Sequence, residues 1–261
     1  GHTALRGYAD LDSRSTSSVY HVDSASAATA AFAVMVALYY RRQTGKGQFI
    51  DVSMVEVLIS QLGDVFMDYF MNERIQPVLG NQERSAAPCG CYRCKGEDEW
   101  VNICVNSDEE WKEFCRALGA PSWASEDMFA DVLSRRRNSK DLDKLIEEWT
   151  RQRDKYEVMN VLQREGIRAG VVIDERSAYS DPHLSKRGFF EELSQVDSGT
   201  HRYPGLLWKM GNTPNKIRKA PVRLGEDNEY VYKQLLKVSN EEYAELQRKG
   251  HIGMDYASGI H

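Results

Sequence analysis

The pattern of apolar and polar residues near the start of the chain predicts one long helix. From Ser24 to Thr44 there is neither Gly nor Pro, and many positions are Ala, the best helix former. Asp23 stands before this run, and the short side-chain oxygen of Asp23 or Ser24 would accept from free N–H groups of the first turn. We therefore expect a helix capped by one of these two residues. Its apolar face has the i, i+3, i+4, i+7 spacing, at Phe32, Met35, Val36 and Tyr39.

The residues after this helix predict a basic turn and a strand. Arg41 and Arg42 would lie in the last helical turn, where cations interact favourably with the helix dipole. Gly45 and Gly47 then break the helix. In residues 48–53, Phe49, Asp51 and Ser53 alternate with Ile50 and Val52, which predicts a short buried strand.

The remaining pattern mixes helices and strands, as in an α/β protein. Residues 54–72 have the apolar spacing of a second helix, and residues 73–98 contain repeated Gly and Pro breaks that predict a loop. Residues 179–261 predict short strands and then two helices, the last capped by Ser239 with Glu242 three residues on. The small α/β part between them is predicted to hold strands at 100–105 and 169–173, and helices that begin at Asp108 or centre on Leu142–Trp149 and Val158–Leu162.

Composition agrees with an ordinary globular chain. Of 261 residues, 41% are hydrophobic and 28% are charged. The net charge of −5 argues against a general nucleic-acid-binding surface. We find no apolar run of about 18 residues, the length that spans a bilayer, and no apolar core of a signal peptide at the start. We therefore expect a protein that binds neither nucleic acid nor membranes.

The cysteines favour a reducing compartment. There are five, an odd and clustered number, which indicates free thiols and a cytoplasmic location. Cys89, Cys91 and Cys94 form a C-x-C-x-x-C motif. A closed zinc site needs four nitrogen or sulfur ligands, and no fourth Cys or His lies close in the sequence. We therefore expect no metal.

Two other polar features have ordinary interpretations. The basic run Arg135–Arg137 is typical of a solvated helix face, although a contact with a phosphate is an alternative. His183 invites a role as a general base. We favour the simpler interpretation, in which Pro182 fixes a turn and His183 lies on it without a catalytic role.

Asp23 carries the main chemical hypothesis. A cap is the simpler interpretation, because helix caps are common and nucleophilic carboxylates are rare. The helix dipole nevertheless favours the ionised form of a carboxylate at this end. An ionised, positioned carboxylate can attack an acyl group.

The segment around Asp23 resembles the central segment of the class III CoA-transferases, the CaiB/BaiF type. Asp23 stands at the family's spacing before a turn and strand that read R-x-x-T-G-x-G-Q-x-x-D-V-S-M, here residues 41–54. Similar later signatures are G-I-x-A-G-V-V at 166–172 and D-P-H-L-x-x-R-G-F-F at 181–190. The family includes formyl-CoA transferase, carnitine CoA-transferase and, as relatives, the α-methylacyl-CoA racemases. The resemblance implies that Asp23 is the catalytic nucleophile.

The resemblance also implies the fold and its division. It predicts an incomplete class III fold: part of a large α/β domain with the catalytic helix (1–80), a small α/β domain (81–178) and a return segment (179–261). The similarity begins well inside the family's longer sequence, so we expect that the family's first α/β segment is missing. Residues 1–22 look like an extended lead-in instead. The chain would then be a shortened form, a partial gene product or one piece of a split enzyme.

A lid is implied before the family's Y-x-C-K segment, which Tyr92, Cys94 and Lys95 match. In the family, a loop of small residues at this place lies over the catalytic aspartate and shields its acyl intermediate. Formyl-CoA transferase has a run of glycines there, so the different residues of this chain imply a stiffer loop and a substrate other than the formyl group. The predicted lid consists of Ser85, Ala86, Ala87, Pro88, Cys89 and Gly90.

The expected reaction moves CoA between an acyl-CoA and a carboxylic acid, with CoA as acyl carrier and no metal. The family forms an aspartyl anhydride and then an aspartyl-CoA thioester. The N–H groups of Ser24 and Ala25 are our own candidates for holding the oxyanion. The family's interlocked dimers imply a homodimer here, and a separate chain would supply the missing segment if the enzyme is split.

Two alternatives stay open. One is racemase-like chemistry, which moves a proton at Cα of an acyl-CoA and needs a second base. In the relatives, a His that does this work lies in the region that we expect to be missing. The other alternative is a non-catalytic remnant or dimerisation module. The sequence names neither the acyl donor nor the acceptor.

Overall fold

The computed structural model describes residues 5–8, 10 and 21–255. Most of the lead-in expected over residues 1–22 lies outside the described residues. By its internal contacts the chain divides into two units, 1–172 and 173–261. The division into three parts at residues 80 and 178 stays a prediction.

The long helix is present as α1, His21–Thr44. Arg41 and Arg42 lie in its last turn, and Gly45 follows with φ +73°, so the predicted end is confirmed. The predicted cap is wrong, because the helix already includes His21 and Asp23 lies inside its first turn. Its apolar residues are exposed, with Phe32 at 72%. By length and composition alone α1 could cross a bilayer, so our expectation that no stretch reaches that length was wrong. A core helix of a soluble protein passes the same test.

The strand predicted over 48–53 does not form. These residues have no regular secondary structure, and Phe49 is 91% exposed. A strand is stabilised by the ladder it shares with a neighbour, and none of the described strands pairs with this segment. The helix predicted over 54–72 forms as two helices, α2 (Met54–Ser60) and α3 (Gly63–Asn72).

A three-stranded antiparallel sheet organises the small α/β part, with β1 (Cys89–Arg93), β2 (Trp100–Cys104) and β3 (Arg168–Val172) in the order β1-β2-β3. The loop predicted over 73–98 therefore contains β1, which was missed. Its Cys-Gly-Cys-Tyr-Arg sequence lacks the β-branched residues that mark a strand, and its pairing with β2 supplies the stabilisation that the sequence does not show.

Helices cover one face of this sheet. They are α4 (Asp108–Ala117), α5 (Val132–Arg137), α6 (Ser139–Thr150) and α7 (Lys155–Arg164). Ser107, rather than the predicted Asp108, caps α4, because its side chain accepts from the N–H of Glu110. The amphipathic pattern of α6 and α7 is confirmed. Their apolar residues join the sheet in one core that includes Val101, Ile103, Phe114, Leu142, Ile146, Val158 and Leu162, all fully buried.

The second unit contains two short helices, a hairpin and two C-terminal helical segments. Helices α8 (Glu175–Ala178) and α9 (Pro182–Arg187) precede strands β4 (Phe190–Gln195) and β5 (Gly199–Pro204). A π-helical segment, Tyr230–Leu235, and α10, Asn240–Arg248, follow. The predicted capping box of Ser239 and Glu242 at the start of α10 is confirmed.

Candidate functional site

Asp23 is placed where a reactive carboxylate would be accessible. It lies in the first turn of α1 and its side chain is exposed. Within the described part of the chain, its carboxylate has no hydrogen bond or ion pair with another residue. Its position at the positive end of a long helix dipole suits an anionic group.

The neighbours of Asp23 differ in their accessibility. Ser24 is exposed and Ala25 is half-buried. In a regular helix that includes His21, the N–H of Ala25 falls at the place that pairs with the carbonyl of His21. Ser26 is buried, and its hydroxyl oxygen has no hydrogen-bond partner among the described residues. The oxyanion role of Ser24 and Ala25 stays a prediction.

The predicted lid changes character along its length. Ser85 is exposed, whereas Ala86, Ala87 and Pro88 are buried. Cys89 and Gly90 already belong to β1. Among the described residues no hydrogen bond or ion pair joins this segment to Asp23, and the lid role stays a prediction.

A buried arginine holds the middle of the segment. Arg135 is fully buried, and its Nε donates to the carbonyl of Ala87 at 2.8 Å. Its Nη1 donates to Phe129 O at 3.2 Å, and its Nη2 contacts Asp108 Oδ1 at 2.6 Å. The expectation that the basic run is a solvated face is therefore wrong for Arg135, although Arg136 and Arg137 are exposed. In so short a helix, the sequence pattern does not show which of the three arginines is buried and which two are exposed.

A carboxylate network holds the chain that leads into the same segment. Asp68 on α3 is buried, and Arg74 Nε contacts its Oδ2 at 2.7 Å. Asn72 donates to Oδ1 at 2.9 Å, and Arg84 reaches Oδ2 at 3.3 Å. Hydrogen bonds from Arg74 first, and then from Asn72, lower the pKa of Asp68 to about 2. Nothing in the sequence pattern singled out Asp68.

A second carboxylate, Asp143 on α6, is half-buried and contacts β1. The hydroxyl of Tyr92 donates to Asp143 Oδ1 at 2.7 Å. Burial raises the pKa of Asp143, and burial together with the neighbouring carboxylate raises the pKa of Tyr92. The hydrogen bond joins β1 directly to α6.

The cysteines lie in β1 and β2, directly after β1 (Cys94) and on α4 (Cys115). Cys94 is buried, and the other four thiols are half-buried and free. Burial raises the pKa of Cys89 to about 12 and that of Cys94 to about 11. Thiols with such pKa values are protonated at neutral pH in the metal-free chain. The described residues contain no group of three or more metal-binding side chains.

His183 lies exposed in the first turn of α9, where Asp181 caps the helix and Pro182 begins it. The turn expected at Pro182 is a short helix. Neither residue has a contact in the described structure that indicates a catalytic role.

The sequence profile of CoA-transferase family III matches residues 1–228. The chain belongs to CoA-transferase family III. The family is enzymatic, and the fold is that of its members. A CaiB/BaiF family protein from Brucella suis superimposes with a TM-score of 0.75 at 22% identity, over 89% of this chain and 60% of that one.

Curated relatives of this family III chain carry CoA-transferase names. The succinyl-CoA–D-citramalate CoA-transferase of Chloroflexus aurantiacus is 26% identical over 227 residues, which are 87% of this chain and 56% of that protein. The formyl-CoA:oxalate CoA-transferase of Rhodopseudomonas palustris is 24% identical over 250 residues, 88% of this chain and 58% of that protein. The β subunit of a succinyl-CoA–L-malate CoA-transferase from C. aurantiacus is 27% identical over 83% of this chain. The chain therefore spans a little over half the length of these relatives.

Proposed function

We propose that this protein is a CoA-transferase, or the catalytic part of one, and that Asp23 is its nucleophile. The observation that carries the proposal is an exposed carboxylate in the first turn of α1, in a chain that belongs to CoA-transferase family III. The substrates are an acyl-CoA and a carboxylic acid.

The proposed reaction starts with the attack of an Asp23 carboxylate oxygen on the thioester carbonyl. The C–S bond breaks, which leaves a mixed anhydride on Asp23 and a CoA thiolate. The thiolate then attacks the aspartyl carbonyl of the anhydride, releases the first carboxylate and forms an aspartyl-CoA thioester. The acceptor carboxylate attacks this thioester, and the same two steps in reverse give the new acyl-CoA and a free Asp23 carboxylate. Covalent catalysis keeps the thioester energy in a bond throughout.

The proposed intermediates hydrolyse if water reaches them, so a cover has a physical purpose. The segment 85–90 is our proposed cover. The N–H groups of Ser24 and Ala25 are the proposed donors to the developing oxyanion, and that of Ala25 would have to leave the carbonyl of His21 to take this role.

The location and the assembly of the protein are also proposals. Five free thiols on the described structure suit the cytoplasm. We propose a homodimer, and the subunit names of the malate CoA-transferase relatives suggest a separate partner chain as the alternative. Light scattering on the purified chain, alone and after co-expression with a candidate partner, distinguishes them.

The test compares Asp23→Asn with Asp64→Asn. Asp64 is also an exposed aspartate in the first turn of a helix, α3, so it is a matched control. We expect transfer of CoA from succinyl-CoA to a panel of malate, citramalate and oxalate. Loss of the nucleophile should lower the rate on the order of a thousandfold or more, whereas Asp64→Asn should leave it unchanged.

Trapping gives a direct readout. Hydroxylamine should convert an aspartyl-CoA thioester into a hydroxamate on the peptide that contains Asp23, and mass spectrometry detects it. Transfer that persists in Asp23→Asn would overturn the assignment. Exchange of the Cα proton with deuterated solvent, without transfer, would favour the racemase-like reaction. Failure to bind CoA at millimolar concentration would favour a non-catalytic module.

A further inference from the structure

The segment that enters β1 is fixed by two main-chain contacts on the small α/β part. Arg135 Nε donates to Ala87 O at 2.8 Å, and the N–H of Val105 donates to Pro88 O at 2.8 Å. Both acceptors belong to the buried half of the predicted lid. The segment is therefore anchored on its C-terminal side.

Arg135 is suited to hold a carbonyl in one place. Its guanidinium lies 4.7 Å above the ring of Trp111, and it binds Phe129 O and Asp108 Oδ1 as well as Ala87 O. The planar fork of an Arg reaches acceptors in several fixed directions, which a Lys ammonium does not reproduce. Because burying a charge is costly and an apolar side chain would fill the core as well, the contribution of Arg135 is orientation of the main chain around it.

The N-terminal side of the segment is held differently. Ser85 is exposed, and Arg84 is tied to Asp68 at 3.3 Å. Glu83 accepts from the N–H of Arg84 at 2.8 Å and, weakly, from the hydroxyl of Ser85 at 3.5 Å. The link around Ser85 is the least constrained part of the segment.

We propose that Arg135 is a positioning residue for the lid. It fixes Ala87 against the small α/β part, so that movement is confined to the residues before Ala86 and the rest of the lid keeps one position through each cycle. This inference rests on the proposed function, because it takes the segment as a lid. Loosening the anchor would admit water to the acyl intermediates.

The first experiment measures the anchor without any reaction. Hydrogen exchange is followed in the full chain over peptides that cover residues 82–90, in wild type, Arg135→Lys and the control Arg137→Lys. Arg137 is the exposed neighbour on the same helix. We expect exchange over 82–90 to rise on the order of tenfold in Arg135→Lys only, since a hydrogen bond from a charged donor is lost. Exchange over α7 should stay unchanged, which shows that the fold is intact.

A milder variant keeps the test decisive if Arg135→Lys does not fold. Asp108→Asn leaves Arg135 in place and removes the charge opposite its Nη2. We expect a smaller rise over the same residues. Unchanged exchange over 82–90 in a folded variant of either kind would overturn the anchor.

The second experiment measures the partition of acyl-CoA between hydrolysis and transfer. We expect Arg135→Lys to raise the ratio of hydrolysis to transfer several-fold, with little change in the KM for acyl-CoA, and Arg137→Lys to leave it unchanged. A general loss of stability would lower both products together. Faster exchange with an unchanged ratio would overturn the lid role. Absence of any transfer by wild type would instead count against the proposed function, and the exchange data would still decide whether Arg135 anchors the segment.

Discussion

The apolar residues of helix α1 are largely exposed, whereas those of the small α/β part are largely buried. Phe114 on α4 is fully buried in the core that the sheet shares with the helices of the small α/β part. Phe32, at the centre of the apolar face of α1, is 72% exposed, and Met35 and Tyr39 beside it are 63% and 68% exposed. Both stretches have a clear helical pattern, yet only one of them is covered by the described residues.

The difference shows how far each region depends on its own sequence. Residues 89–172 contain both the sheet and the helices that cover it, so their core closes locally. The α1 helix contacts α2, which is too short to cover a helix of 24 residues. Its helical state within the described chain rests on its Ala-rich composition and its ends, whereas that of α4 rests on packing.

The largest expected effect on stability comes from truncating one phenylalanine side chain to Ala in each region. Phe114→Ala leaves a cavity in a closed core and should lower the free energy of unfolding by about 3–5 kcal/mol. Phe32→Ala removes a side chain that is already exposed, so the change should be within about 0.5 kcal/mol. Urea unfolding followed by circular dichroism measures both.

Protein concentration sharpens this comparison. If α1 is covered by a second copy in solution, the effect of Phe32→Ala should grow as the concentration rises. Equal losses for the two variants at every concentration would contradict the contrast between the two regions.

The elements that were predicted correctly from the sequence are those whose start or end is determined by neighbouring residues in the chain. Helix α1 ends at Gly45, and Ser239 with Glu242 caps α10, because these signals are local. The strand expected over 48–53 and the missed β1 failed for one shared reason. A strand forms where a second strand pairs with it, and the sequence of one strand does not show whether such a partner is present.

The candidate site divides in the same way. The position of Asp23 at the start of α1 followed from the sequence to within about one helical turn. The burial of Arg135 and Asp68 could not be predicted from the sequence. A buried Arg in a basic run, or a buried Asp in a helix, has the same sequence pattern as an exposed one. Only the folded chain brings Arg135 to Ala87, 48 residues away.

The next largest effect concerns the bond that joins β1 to α6. Tyr92→Phe removes the donor to Asp143 and leaves a half-buried carboxylate without it, which should cost about 1–3 kcal/mol of unfolding free energy. Tyr230→Phe, at an exposed tyrosine, is the matched control and should cost nothing measurable. Because the hydrogen bond from Tyr92 opposes the effect of burial on Asp143, the pKa of Asp143 should rise further in Tyr92→Phe.

The same variant predicts a pH dependence. A carboxyl whose pKa is raised on folding destabilises the fold once it ionises. The penalty of Tyr92→Phe should therefore be smaller at acid pH, where Asp143 is protonated, and larger at pH 7. A penalty that is constant between pH 4 and pH 7 would show that Asp143 is not the group involved.

The smallest expected effect is local and lies at the junction of the two regions. Asp68 has a pKa of about 2 in the folded chain, below the value of about 3.9 for a free aspartate. A group with a lowered pKa stabilises the fold at pH values above about 4, and this stabilisation is lost as the pH falls through about 2. Because its partners are Arg74 and Arg84, the loss should appear first in the loop over 73–84 rather than in the core.

Pepsin cleavage of the loop between pH 4 and pH 2 measures this opening, since pepsin is active throughout that range. Wild type should resist cleavage at pH 4 and become susceptible as the pH approaches 2. Asp68→Asn should be cleaved readily at both pH values, because its neutral amide cannot hold two guanidinium groups, whereas Asp64→Asn should follow wild type. Parallel curves for Asp68→Asn and wild type would mean that α1 to α3 and the sheet part are joined by packing alone. A difference confined to 73–84 would show that one carboxylate ties α3 to the chain that enters the candidate lid.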